Sequence, residues 1–193
     1  MFRTVWAALV IALFLLPTTM LAQRRIDIGL QGGVAVPTQD VGGVDLKTGF
    51  GFEGTVSYRF LPHLAIYGGW DWHRFTTDEA LATVPDIEET GYAFGLRFEH
   101  PIGAVGAPAV VLRAGGVYNH IEMENETGAI VEDTGHGLGW DAGAGVAFGV
   151  GDRWRAVPGV RFRSLTRDMT MGGITASSDL TYVAFELGVF FSI

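Results

Sequence analysis

Five histidines, one serine and a glycine run are the residues whose types could support chemistry. His63, His73, His100, His120 and His136 are the imidazoles. No two of them have the helical or hairpin spacing that brings paired ligands onto one metal ion, so no metal is expected. The run "GLGWDAGAGVAFGVG" (137–151) contains G-x-G patterns. A phosphate-cradling loop needs a helix after the glycines and often a Lys-Ser/Thr pair. Here the glycines recur at period two and neither feature follows, so no nucleotide and no other cofactor is expected. Ser164 with His120 or His136 would be the candidate nucleophile and base. A nucleophile needs its base within hydrogen-bond reach, and these residues come from different segments with no local signature. No catalytic residue is expected. The chain has no cysteine, which removes thiolate chemistry and disulfides.

A different chemistry, the pairing of buried charges, is written at alternate positions. "GYAFGLRFE" places Tyr92, Phe94, Leu96 and Phe98 on one face and Gly91, Ala93, Gly95, Arg97 and Glu99 on the other. This is the period of a strand with two unlike faces. Eight such segments follow one another, at about 25–37, 49–61, 64–76, 90–100, 109–120, 137–150, 154–166 and 180–193. "LPH" (61–63), "GDR" (151–153) and "PIGAVGAP" (101–108) are short connections. The other four, near residues 43, 83, 128 and 173, are read as long loops. Short turns at one end and long loops at the other suit an up-and-down meander, and each segment reaches the ~9–11 residues that a tilted strand needs to cross a bilayer. The fold class expected is therefore all-β: an eight-stranded antiparallel up-and-down transmembrane β-barrel.

Residue size decides which face is inside. One face carries Phe, Tyr, Trp, Leu, Ile and Val. The other mixes Gly and Ala with charges, as in Gly139, Asp141, Gly143, Gly145, Ala147 and Gly149. Eight strands leave an interior only wide enough for side chains, so the small face fits inward. The alternative, a soluble lipocalin-like ligand-binding barrel, would put those glycines on a water-facing surface, where they weaken strands and pack nothing. With the polar face inward the lumen receives Asp27, Glu53, Asp71, Glu99, Asp141 and Glu186. It also receives Arg59, Arg97, Arg113, Arg155, Arg161 and Arg163. Equal numbers of acids and bases allow the pairing that burial demands, and a plugged, charge-paired lumen is expected. Outward Trp70, Trp72, Tyr92, Tyr118 and Trp140 fall towards the long loops, and Tyr58 and Trp154 towards the short turns. These are expected to form the two aromatic girdles of a membrane barrel. Pro158 cannot donate to a ladder, so a bulge or irregularity is expected in its segment.

The ends and the overall charge complete the reading. Residues 1–22 have the form of a signal peptide, with Arg3, an apolar run from Val5 to Leu16, Pro17 and a cut after Ala22. Residues 23–193 form the barrel domain. The net charge of −8 excludes a nucleic-acid partner, which needs a basic face. "TTDEALATVPDIEET" and "EMENETGAIVEDTGH" are read as acidic surface loops.

With these elements in place the chain resembles the small outer-membrane β-barrel family of Gram-negative bacteria, the OmpA/OmpX-type barrel domain. The terminal strand carries the most specific part of the resemblance. Glu186, Gly188, Phe191 and Ile193 match the family's C-terminal assembly signal, with Ile in place of the usual final Phe. The resemblance implies a monomer in the outer membrane, in contact with lipid and lipopolysaccharide and inserted by the barrel-assembly machinery. The role it implies is structural or interactive, through the loops. It also carries an alternative, since some such barrels are lipid A deacylases that use a Ser–His pair on the lipid-facing surface.

Overall fold

The computed structural model describes residues 24–40, 45–76, 86–104, 106–124, 129–171 and 174–193. The expected signal peptide, residues 1–22, lies outside them. Among the described residues nine strands occur: β1 (Ile26–Pro37), β2 (Gly49–Leu61), β3 (Leu64–Phe75), β4 (Asp86–Pro101), β5 (Ala109–Glu124), β6 (Ile130–Asp133), β7 (Gly137–Val150), β8 (Trp154–Met171) and β9 (Ile174–Ser192). Apart from β6, each pairs antiparallel with its neighbours in a ring, and β9 closes on β1. The short β6 sits outside the ring, paired to the outer end of β5. The result is a closed barrel of eight strands in the expected meander.

Closure fixes the geometry. Stepping across the paired residues from Ile26 leads through Tyr58, Ile66, Leu96, Ala114, Ala142, Phe162 and Val183 back to β1 at Val36. The ladder thus returns ten residues further along the same strand. A stagger of this size goes with strands tilted ~35–45° from the barrel axis. Each partner shares a face with the next, so one alternation runs unbroken around the wall. Outward Leu30, Val56, Tyr92 and Leu138 are exposed by 60, 56, 57 and 70%. Inward Glu53, Asp71, Arg161 and Arg163 are exposed by 1% or less. This inversion excludes the lipocalin-like alternative.

One expectation is corrected and one is narrowed. Strands β4, β5, β8 and β9 run several residues beyond the apolar alternation at the long-loop end. The connection near residue 173, expected to be a long loop, separates strands paired as far as Met171 and Ile174. Beyond the lipid both faces of a strand can be polar, so alternation fades while the backbone ladder persists. At Pro158 the β8–β9 ladder is continuous, with Pro158 opposite Leu187. The β7–β8 ladder is interrupted between Gly145–Gly159 and Phe148–Ala156 and resumes in the same register. The missing donor therefore faces β7, and the irregularity is a gap without a bulge.

Candidate functional site

The lumen is built from the inward positions of every strand in the ring, and its polar side chains form layers along the axis. At the short-turn end Asp27 pairs with Arg155 at 2.8 Å and Arg59 at 3.6 Å, and accepts from Ser192 Oγ at 2.6 Å. Glu99 meets Arg155, Arg97 at 3.3 Å and Arg59 at 3.7 Å. In the middle, Glu53 accepts from Arg113 at 2.9 Å, from Arg161, and from Gln31 at 3.2 Å. Asp141 stands 3.3, 3.6 and 3.1 Å from Arg113, Arg161 and Arg163. Glu186 holds the other side of Arg161. Above them Arg163 reaches Asp71 at 2.5 Å and Glu89 at 2.6 Å. All twelve charged residues singled out from the sequence take part in these pairs.

The sequence reading missed the top of this column. Glu89 belongs to a segment that reads as an acidic loop, yet it is inward on β4 and fully buried. It accepts from Arg163, from Asn119 Nδ2 and from Tyr182 at 2.7 Å. Arg167 donates to Asn119 and to the carbonyls of Gly137 at 2.6 Å and Leu138 at 3.0 Å. The signal was present: both residues continue the inward parity of their strands past the assumed boundaries. Over this layer lies an apolar cap of Phe75, Ile87, Ile121, Met123, Leu165 and Leu180.

An apolar layer also divides the column near the short-turn end. Phe190 is buried among Ala109, Val111, Ala147 and Val157. The Arg97 guanidinium lies over its ring at 4.1 Å. The ring fits because Gly29 and Gly188 flank it: a Cβ on either would collide with it. Gly29→Ala is expected to destabilise the barrel by about 1–3 kcal/mol through overpacking. Phe190→Leu in the same chain should return most of that loss in urea unfolding. Between Phe190 and the middle layer is a cavity of ≈ 50 Å³, lined in part by Gln31, Thr55, Tyr67, Arg113 and Glu186. It has the size and polarity to hold a few waters.

On the outer wall Trp70, Tyr92 and Tyr118 are successive ladder partners across β3, β4 and β5. Trp72 lies one outward step further, with Phe50 and Phe52 rings at 5.5 and 5.8 Å and its Nε1 donating to Glu88 at 2.9 Å. Trp140 packs on Phe162. Trp154 packs on Phe191 at 4.8 Å at the opposite end, and the ladder continues from Phe191 through Ile28 to Val56, two residues from Tyr58. In the terminal strand Glu186 and Gly188 face the lumen, Phe191 sits beside Trp154, and Ile193 donates its N–H to Ile26 at 2.8 Å.

Ser164 does not meet either proposed base. It is opposite Trp140, which is opposite Gly116, so His120 and His136 lie four residues further along neighbouring strands. At ~3.3 Å per residue that exceeds hydrogen-bond reach. The histidines instead meet each other. His136 stacks on His120 with centroids 4.5 Å apart and planes at 14°, and His63 lies 4.8 Å from His100. His120 Nδ1 is 3.2 Å from Asp133 and 3.5 Å from Glu122. The Gly135 N–H donated to Asp133, helped by the two nearby imidazoles, holds that carboxyl below its usual range. Spacing in the sequence could not reveal this group, because β6 folds back onto β5 to make it.

A family model described as an outer membrane protein beta-barrel domain matches residues 6–191. No curated protein matches the sequence. Among solved structures, Neisserial surface protein A superposes with a TM-score of 0.65 at 14% identity, over 87% of this chain and 97% of its own. OprG from Pseudomonas aeruginosa gives 0.55 at 12% identity, over 89% and 98%. AlkL, solved by solid-state NMR in DMPC lipid bilayers, gives 0.52 at 16% identity, over 92% and 95%. At these identities the likeness is one of fold.

Proposed function

This chain belongs to the outer membrane protein β-barrel family, and on that premise we propose that it is a monomeric, non-conducting barrel with a structural or surface-interaction role. Its place is the outer membrane of a Gram-negative bacterium, with lipid against the apolar wall. The observation that carries the reading is the column of ion pairs from Asp27 to Glu89, packed between the Phe190 layer and the apolar cap. Buried charges paired this way resist separation, because removing one partner leaves the other uncompensated in low dielectric. Contact with the outside then falls to the acidic segments around residues 76–90 and 122–136, whose negative field suits cations or a basic partner surface. The terminal strand, with Glu186, Gly188, Phe191 and Ile193, serves insertion by the barrel-assembly machinery. No catalysis is assigned, since neither His120 nor His136 stands within reach of Ser164.

Planar-bilayer recording tests the reading. The purified protein is expected to give no stable conductance steps in molar salt, and discrete, long-lived steps would overturn the plugged lumen. Lipid A from a deletion strain should keep its acylation pattern. A changed pattern would overturn the non-enzymatic reading.

A further inference from the structure

We propose that His120, Glu122 and Asp133 form a site for a divalent transition metal of the zinc kind on the outer wall of the barrel, where β6 folds against β5. One ligand atom from each lies within 4.8 Å of the others. His120 Nδ1 is 3.2 Å from Asp133 Oδ1 and 3.5 Å from Glu122 Oε1. Zinc binds imidazole nitrogen and carboxylate oxygen at ~2.0–2.2 Å in a tetrahedron. Ligands on such a tetrahedron stand about 3.4 Å apart. The two separations from His120 are close to that spacing, and the carboxylate oxygens lie within 4.8 Å of each other.

The donor set speaks for the class of ion. Calcium and magnesium take all-oxygen shells, whereas an imidazole among carboxylates suits zinc, copper or nickel. The surroundings also hold the ligands in place. His136 stacks on the His120 ring and Gly135 N–H donates to Asp133 at 2.8 Å, as outer-shell partners do in metal sites. Among the described residues, Glu122 and Asp133 form no ion pair with an arginine.

A second group, Asp71, His73 and Glu89, also stands together. It is not a competitor, since the Arg163 guanidinium sits 2.5 Å from Asp71 and 2.6 Å from Glu89. A cation is already there.

The test is titration calorimetry of the untagged protein in phosphatidylcholine vesicles, with zinc chloride and calcium chloride as separate probes. One saturable zinc site is expected, with calcium at least tenfold weaker. His120→Ala and the near-isosteric Asp133→Asn should each weaken zinc at least tenfold while the heat-dependent gel mobility stays that of the folded barrel. Cobalt(II) in place of zinc should give the visible bands of a tetrahedral ion, lost in His120→Ala. Absence of saturable zinc binding, unchanged affinity in both variants, or calcium binding as tight as zinc would each overturn the proposal. None of these readouts depends on whether the lumen conducts.

Discussion

Glu53→Gln is expected to lower the unfolding free energy of the barrel in vesicles by about 3–5 kcal/mol, the range for breaking a buried ion pair. Glu53 is fully buried and takes two oxygens to three bases, Arg113, Arg161 and Arg163. The amide keeps the shape and removes the charge, so three guanidiniums are left with Asp141 as the acid they all share. The small cavity beside Arg113 is where water can relieve this. Urea titration followed by tryptophan fluorescence reads the loss. Arg59→Gln is the control. Its side chain is 19% exposed and its two contacts are 3.6 and 3.7 Å, so a change below about 1 kcal/mol is expected, as for surface pairs. Equal losses for the two variants would mean that burial does not set the strength of the network.

Leu96→Arg should cost about 2–4 kcal/mol by the same measurement, because an arginine facing lipid near the midplane loses its hydration. Leu96 is outward on β4, 47% exposed, between Tyr92 of the upper aromatic row and Phe98 near the turn. Tyr118→Arg, at the level of the aromatic row, should cost about 0–1 kcal/mol, since the guanidinium reaches the interface. A soluble barrel would register little difference between the two. The contrast therefore measures where the hydrocarbon begins.

The barrel was legible in the sequence because one physical constraint acts along most of it. Lipid outside and a narrow lumen inside force the period-two pattern, so Tyr92 to Phe98 and Phe185 to Ile193 declare their faces. Where that constraint ends the reading failed. Glu89 and Arg167 lie on strand extensions beyond the lipid, where polar residues occupy both faces and mimic a loop. Pro158 announced a missing donor, but whether the register would slip depended on the neighbouring ladder to β9. The meeting of His120 with Asp133 and His136 depends on a side strand four residues long, too short to declare itself by pattern.

The ring of charges also bears on the order in which the barrel can be made. Glu53 comes from β2, Arg113 from β5, Asp141 from β7, Arg161 from β8 and Glu186 from β9. No two adjacent segments satisfy the set, and Asp27 on β1 waits for Arg155 and Ser192 near the far end of the chain. A partly assembled sheet would hold these groups open to water rather than locked to one another. The last hairpin is then the step that expels solvent and commits the whole wall at once. Folding should be a single concerted transition, with a slow, late closure and no stable half-barrel.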